Sequence, residues 1–133
     1  MAASAAADAE RALLGPREVG AGFEVVREAP VDPAADPDLR SWGVREKHVR
    51  HYTRDLRGAV EVCSVELWAF ASIEQASAAE AGFAYPDWQI SREGSLLVMA
   101  HGLVRPRTGS PRRGVFGACD AIAERIRERA AAL

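Results

Sequence analysis

Apolar residues recur with two different periods along this chain, and the two periods predict different elements. Ala59 to Ala71 is rich in β-branched and aromatic residues, and Ser95 to Val104 is almost continuously apolar. Such runs are typical of strands that are covered on both faces of a sheet. Between residues 115 and 130 the apolar positions instead recur every three or four residues, which predicts a long C-terminal amphipathic helix.

A more polar segment precedes each apolar run across a short turn, and this order predicts two β-hairpins. Residues 44–55 are nearly all polar and suit an edge strand or a solvent-facing strand. Asp87 to Arg92 pairs with the second run in the same way. A helix over residues 38–52 is the alternative to the first polar strand, because apolar and aromatic residues there fall at roughly helical spacing.

The run from Ala59 to Ala71 does not decide whether its strand is regular or contains a bulge. Its large apolar side chains change face near Cys63 and Ser64, so that either the strand is covered on both faces or a bulge lies at these two residues. By the same alternation, Glu61 and Glu66 lie on opposite faces of the strand unless such a bulge intervenes.

The N-terminal third predicts shorter elements. Residues 2–14 are rich in alanine and predict a short helix, within an N-terminal segment 1–15 that Gly15 closes. Residues 22–28 have the composition of a strand. Residues 30–37 contain three prolines and predict an irregular loop.

Two helix starts are marked by capping residues. Ser72 and Gln75 match a capping box at the start of a helix over residues 73–81. Ser110 and Pro111 match an N-cap followed by proline at the first helical position. The second pattern predicts that the C-terminal helix begins directly after Ser110.

The predicted order of elements is helix, strand, strand pair, helix, strand pair, helix. It argues for one α+β domain over residues 1–133, in which an antiparallel β-sheet of about five strands packs with the long C-terminal helix and shorter helices. The length of the chain and its 48% hydrophobic content suit one core of this kind.

Two short segments of the sequence, together with this order of elements, resemble a known group of domains. They are Ala12-Leu-Leu-Gly-Pro-Arg-Glu-Val-Gly-Ala-Gly-Phe23, ahead of the paired strands, and Phe70-Ala-Ser-Ile-Glu-Gln-Ala76, at the step into a helix. With the order of elements, they make the chain similar to small bacterial domains of the PsbP-like or LpqN-like kind. The resemblance implies an antiparallel sheet between helices and a binding or accessory role, often outside the cytoplasm. It carries no functional residues onto this chain.

Charge and hydropathy exclude several classes of partner. The formal net charge of -2 gives no overall field towards nucleic acid or an anionic membrane, and we expect no nucleic-acid partner. No apolar run approaches the roughly 20 residues that span a bilayer, and the first residues lack the features of a signal peptide. We therefore expect a cytoplasmic protein as the sequence is given, or an extracytoplasmic one if a signal or anchor was removed.

Cysteine and histidine supply few metal ligands. Cys63 and Cys119 provide neither a disulfide framework nor a zinc site of paired cysteines, and we expect two buried thiols rather than a disulfide. His48 and His51 face opposite sides of a strand and would not hold one metal ion, although on a helix they could. The sequence therefore predicts no metal and no cofactor.

A cluster of basic residues before the predicted C-terminal helix is the candidate anion site. It comprises Arg105, Arg107, Ser110, Arg112 and Arg113. Arginines at the positive end of a helix dipole are unfavourable alone, and an anion held by free amides and guanidinium groups would remove the conflict. The alternative is a solvated turn whose arginines pair with surface carboxylates.

Large aromatic residues near turns and strand ends form the second candidate surface. They can line a ligand pocket or a partner surface, and we select Trp42, Tyr52, Tyr85 and Trp88. Packing in the core and at its rim is the alternative for these four residues.

The sequence favours a non-catalytic binding or accessory module for a small ligand, an anion or a protein partner. The alternative is a small enzyme that combines His101 or His48 with Glu61 or Glu66. A polar cleft converging on a histidine would favour the enzyme, and an apolar or basic concavity without one would favour the binding module. Strands that are apolar on both faces also predict a homodimer through the sheet.

Overall fold

Six antiparallel strands form the sheet of this computed structural model, which describes residues 9–20, 22–29, 31–83, 86–115 and 117–133. The strands are β1 (Glu24–Arg27), β2 (Val44–Leu56), β3 (Ala59–Phe70), β4 (Trp88–Glu93), β5 (Leu96–Pro106) and β6 (Arg112–Arg113). The helices are α1 (Pro37–Trp42), α2 (Ile73–Gly82) and α3 (Ala118–Ala131), with short 3-10 helices at Ala9–Ala12 and Pro33–Ala35. The strand order is β1-β2-β3-β5-β4, and β6 pairs with β5.

The architecture confirms the predicted α+β class, with an antiparallel sheet, a C-terminal helix and shorter helices. Both predicted hairpins are present, and they turn at Gly58 and Gly94, whose φ angles of 79° and 62° favour glycine. The alternative helix over residues 38–52 is wrong beyond its first residues. Helix α1 ends at Gly43, where φ is 80°, and β2 begins at Val44.

Each face of the sheet carries its own hydrophobic cluster. On the inner face, β2, β3 and β5 pack with α3 and the N-terminal 3-10 helix. On the outer face, β3, β4 and β5 pack with α1 and α2. Because α1 and α2 are only six and ten residues long, they cover one end of the outer face. The other end is partly open, with Val26 and Val60 49% and 41% exposed.

Strand β3 is covered on both faces over its second half and contains no bulge at Cys63 and Ser64. Its pairing with β2 and β5 passes these residues without a register shift, and the irregularity of the β2–β3 ladder lies at the start of β2. Leu67 belongs to the inner cluster and Trp68 to the outer one. The second half of β3 is thus covered on both faces within one chain, and the homodimer stays a prediction.

The N-terminal segment differs from the predicted helix over residues 2–14. A 3-10 helix at Ala9–Ala12 packs into the inner cluster, and residues 1–8 lie outside the described part of the chain. Leu13 and Leu14 follow the 3-10 helix and are also buried in this cluster. The segment therefore closes the inner face beside α3.

The predicted irregular loop over residues 30–37 contains regular structure. The Asp32 side chain accepts a hydrogen bond from the backbone of Ala34, and the Asp36 side chain accepts one from the backbone of Asp38. In both places a proline occupies the first helical position, where its missing N–H leaves no hydrogen bond unmade. Aspartate caps followed by proline thus start a 3-10 helix and then α1.

Helix α2 confirms the Ser72 half of the predicted capping box, whereas the Gln75 side chain contacts the Ser72 hydroxyl at 3.5 Å instead of the Ser72 backbone N–H. The Ser72 hydroxyl oxygen accepts a hydrogen bond from the Gln75 backbone N–H at 3.1 Å. The helix then continues to Gly82, one residue beyond the predicted end. Among the described helices, none is both long and apolar enough to cross a membrane.

The C-terminal helix begins later than predicted, and Ser110 is not its N-cap. Helix α3 begins after Gly117, and Arg112 and Arg113 instead form β6 against β5. The Gly114 N–H donates to the Gly102 carbonyl at 3.0 Å. A side chain at Gly102 would overlap the Gly114 carbonyl, so glycine permits this close approach. The pairing holds the chain against β5 and delays the helix.

A disulfide joins Cys63 of β3 to Cys119 of α3, and the prediction of two separate thiols is wrong. The two Cα atoms lie 5.2 Å apart, within the usual range for a disulfide. Both residues are buried in the inner cluster, so the bond ties α3 to the central strand. The two positions are 56 residues apart in the sequence and meet only through the packing of α3 on the sheet.

Tyr52 connects the N-terminal segment to the sheet from inside the protein. Its side chain is fully buried, and its hydroxyl donates to the Leu14 carbonyl at 2.8 Å. Burial raises the pKa of Tyr52 above its ordinary value of 10.0, because a buried phenolate would lose its solvation. The nearby Arg50 guanidinium opposes this shift in part.

Reduction of the Cys63–Cys119 disulfide will destabilise the fold. For a sequence separation of 56 residues, the chain-entropy treatment gives a stabilisation of about 4 kcal/mol. Urea unfolding with and without a thiol reductant measures this difference in the free energy of unfolding. In the control variant Cys63→Ala/Cys119→Ala the reductant should change nothing. Equal stability of the unmodified protein in both conditions would contradict the prediction.

Tyr52→Phe will lower the free energy of unfolding by about 1 kcal/mol at neutral pH, since one buried hydrogen bond is lost. The folded-state pKa of Tyr52 is raised, so its contribution is present below pH 10.0 and is lost as the pH rises through the folded-state pKa. The unmodified protein should therefore lose stability more steeply in alkali than the variant. Urea unfolding over an alkaline pH series tests this, and parallel pH profiles would refute it.

Candidate ligand-binding pocket

A concave pocket lies on the outer face of the sheet, beside α1 and α2. Its volume is about 460 Å³, within the range of small-molecule sites. Four aromatic side chains from four separate segments line it: Trp42 of α1, Trp68 of β3, Phe83 after α2, and Trp88 of β4. All three tryptophans of the chain therefore meet at one cavity.

The register of the sheet brings two of these tryptophans to the same face. Trp68 lies opposite Leu97, and Trp88 lies opposite His101. Because alternate residues of a strand share a face, Leu97, Met99 and His101 of β5 all point outward with their partners. Met99 lies between the two tryptophans and lines the pocket with them.

Phe83 links the aromatic residue of α1 to the sheet. Its ring centroid lies 5.4 Å from that of Trp42 and 5.2 Å from that of Trp68, edge-to-face in the second case. Gly82 permits this packing, since a Cβ there would lie 2.7 Å from Cη2 of Trp42. The glycine that ends α2 thus makes room for the Trp42 ring.

Lys47 and Glu66 add an ion pair to the pocket wall. Lys47 Nζ lies 3.4 Å from Glu66 Oε1, and the same oxygen accepts a hydrogen bond from Trp68 Nε1 at 3.0 Å. The ammonium group also lies 5.5 Å from the ring centroid of Trp68. These contacts fix the three side chains against one another.

Two further carboxylates lie at the rim of the pocket. Asp36 caps α1, with Oδ1 accepting hydrogen bonds from the backbone N–H groups of Asp38 and Leu39 at 2.9 and 3.3 Å. The exposed Asp38 side chain forms no hydrogen bond or ion pair with another described residue. The described lining thus carries three carboxylates, Asp36, Asp38 and Glu66, and one ammonium group.

A polar row crosses the outer face beside the pocket. His51, Ser64 and His101 are direct neighbours across β2, β3 and β5. His51 Nδ1 lies 2.7 Å from Ser64 Oγ, and His51 Nε2 lies 2.7 Å from Glu28 Oε1. The His101 ring stacks on Trp88 with the ring centroids 5.1 Å apart. The row therefore joins the pocket through Trp88.

His51 contacts a serine and a carboxylate, as a catalytic general base does, but the described backbone around Ser64 offers no free donors for an oxyanion. A serine bound to a histidine that also contacts a carboxylate is the pattern of a nucleophile and its general base. Acyl transfer needs, in addition, free donors for the developing oxyanion. Ser64 lies in β3, which is paired on both sides, so the local backbone N–H groups belong to the sheet ladders. We interpret Glu28, His51 and Ser64 as a polar contact across strands.

The structure brings together two of the four predicted surface aromatics. Trp42 and Trp88 both line the pocket. Tyr52 is fully buried in the inner cluster, so its prediction as a ligand or partner surface is wrong. Tyr85 lies outside the described residues.

The pocket residues that the sequence did not single out as a ligand surface include Trp68, Phe83, Lys47 and Glu66, the last of which was named only for the enzyme alternative. Trp68 lies within an apolar run and has the pattern of an ordinary core residue. The available signal was the alternation of β3, which places Glu66 and Trp68 on one face, two residues apart. That spacing indicates a polar group beside an aromatic ring.

The predicted anion-site residues do not gather at the start of a helix. Arg105 and Arg107 line a second concavity at the end of β5, together with Asp55. Ser110 precedes β6, which contains Arg112 and Arg113. Because α3 begins several residues later, the helix-dipole argument for an anion is wrong. Anion binding by these residues stays a prediction.

His48 and His51 lie on opposite faces of β2, as the alternation of a strand predicts. His48 pairs with Leu67 on the inner face, and His51 pairs with Ser64 on the outer face. Glu61 and Glu66 likewise lie on opposite faces, and Glu61 forms an ion pair with Arg54 at 2.6 Å. Within the described ranges, no group of three or more His, Cys, Asp or Glu residues could hold a metal ion.

Comparison of the chain with protein-family models, with curated proteins and with solved structures finds no match. The resemblance to the PsbP-like and LpqN-like domains therefore stays a prediction. The geometry of the pocket carries the functional argument.

Proposed function

We propose that this chain is a non-catalytic binding module that holds a small organic ligand in the aromatic pocket of its outer face. The convergence of Trp42, Trp68, Phe83 and Trp88 on one open cavity carries the proposal. Trp68 is buried, whereas the other three rings are only partly buried. Rings that served the core alone would be covered by the chain itself.

Ligand binding would remove ring surface from water. Buried apolar area contributes about 25 cal/mol per Å², and each well-placed aromatic contact adds about 0.5–1.5 kcal/mol. Phe83 holds the Trp42 and Trp68 rings in place before any ligand arrives. Rings that are already fixed lose little conformational freedom on binding, which favours affinity.

The pocket lining supports binding rather than catalysis. Its described residues are aromatic, aliphatic, acidic or, in Lys47, basic, and they include no histidine. His101 stacks on Trp88 and is not among the described lining residues, and His51 contacts Ser64 where the backbone donors are engaged in the sheet. A concavity on which no histidine converges favours a binding module over a small enzyme.

The disulfide supports a second proposal, that the protein works in an oxidising compartment. Disulfides persist in such compartments and are rare in the reducing cytosol. Cys63 and Cys119 are bonded and buried, which favours the extracytoplasmic alternative over the cytoplasmic one.

The pocket proposal predicts that an apolar dye binds where the tryptophans meet. N-phenyl-1-naphthylamine becomes fluorescent in an apolar pocket and accepts energy from excited tryptophan. Trp88→Ala should weaken its binding roughly tenfold, since a central aromatic contact dominates such a site. Ile73→Ala is the matched control, because Ile73 is 53% exposed and lies outside the pocket. Equal dye affinity in both variants, or no binding to the unmodified protein, would overturn the proposal.

The compartment proposal predicts that both cysteines are oxidised in protein taken from its own cells. Denatured protein should resist alkylation by iodoacetamide until a reductant is added, and should then gain two labels in a mass spectrum. Immediate alkylation of the untreated protein would show that the disulfide is absent in the cell.

A further inference from the structure

We infer that the ligand of this pocket is a small organic cation, of the class that carries a quaternary ammonium group. The inference rests on the proposed function, since it assigns a charge to the ligand of the same pocket. The four aromatic rings and the excess of carboxylates in the lining are the two features that carry it.

The ring faces attract positive charge. An aromatic ring has negative potential over its face, and a cation within about 6 Å of the ring centroid is stabilised. The pocket already contains one such contact, because Lys47 Nζ lies 5.5 Å from the centroid of Trp68. Trp42, Phe83 and Trp88 place three further rings around the same cavity.

The charges of the lining also favour a positively charged ligand. Glu66 is paired with Lys47, which is the one basic residue among the described lining residues. Asp36 and Asp38 remain at the rim, and Asp38 is exposed. A cationic ligand would be attracted by both rim carboxylates, whereas an anionic ligand would be repelled by them.

The carbon-rich lining distinguishes a quaternary ammonium group from a primary amine. A primary ammonium ion is compact and strongly hydrated, and it loses solvation in a cavity lined by rings. Methyl groups on nitrogen spread the charge and contribute apolar surface that can be buried against tryptophan. The pocket thus matches a cation whose surface is apolar.

Three probes of one shape and different charge test the inference on the full chain. They are choline, its neutral counterpart 3,3-dimethylbutan-1-ol, and the anion 3,3-dimethylbutanoate. The indole N–H signals of the three tryptophans report binding by NMR, because all three rings line the pocket. Choline should bind roughly tenfold more tightly than the alcohol, and the anion should bind most weakly.

The outcomes separate the two proposals. Equal affinity for choline and the alcohol would overturn the cation inference while supporting an apolar binding pocket. If none of the three probes shifts the indole signals, the cation inference is also overturned, and the dye experiment then decides whether the pocket binds ligands.

Two variants change the choline affinity in opposite directions. Asp38→Asn removes a rim carboxylate and should weaken choline binding roughly threefold, with no effect on the alcohol. Lys47→Met removes the ammonium group that occupies the face of Trp68 and should strengthen choline binding several-fold. Asp120→Asn is the control, because Asp120 is also exposed in the first turn of a helix but lies outside the pocket. Equal effects of the two asparagine variants, or weaker choline binding by Lys47→Met, would contradict the inference.

Discussion

Helices cover the inner face of the sheet more completely than the outer face, and the rest of the structure depends on this difference. Strand β3 is apolar on both faces over its second half, with Leu67 in the inner cluster and Trp68 in the outer one. On the inner face, α3 provides a long cover, which the Cys63–Cys119 disulfide ties to the central strand. On the outer face, α1 and α2 are short, so their cover stops partway along the sheet. The aromatic pocket lies at this margin, between a buried cluster and an open polar row.

The parts of the fold that local signals control were predictable. Hairpin turns at glycine, alternation along the strands and the Ser72 cap all act between near neighbours in the chain. The Asp36 cap is just as local, but the three prolines of residues 30–37 led to the prediction of an irregular loop there. The late start of α3 and the disulfide depend instead on contacts between distant segments. One of these is the close approach of Gly114 to Gly102, which no pattern near Ser110 indicates.

The candidate site was predictable only in part, because it depends on register. Trp42 and Trp88 were selected by residue type and by their position near strand and helix ends. Tyr52 has the same features, yet its hydroxyl meets a buried carbonyl acceptor on the inner face. Trp68 and Phe83 reach the pocket through the pairing of β3 with β5 and through the end of α2. Sequence alone does not fix these two relations.

Native mass spectrometry of the protein isolated from its own cells tests the central claim most directly, because it detects a retained small molecule by its mass. We expect an organic cation in complex with the unmodified protein and with Ile73→Ala, and its loss from Trp88→Ala. A retained anion, or a molecule retained equally by Trp88→Ala, would contradict this account of the pocket.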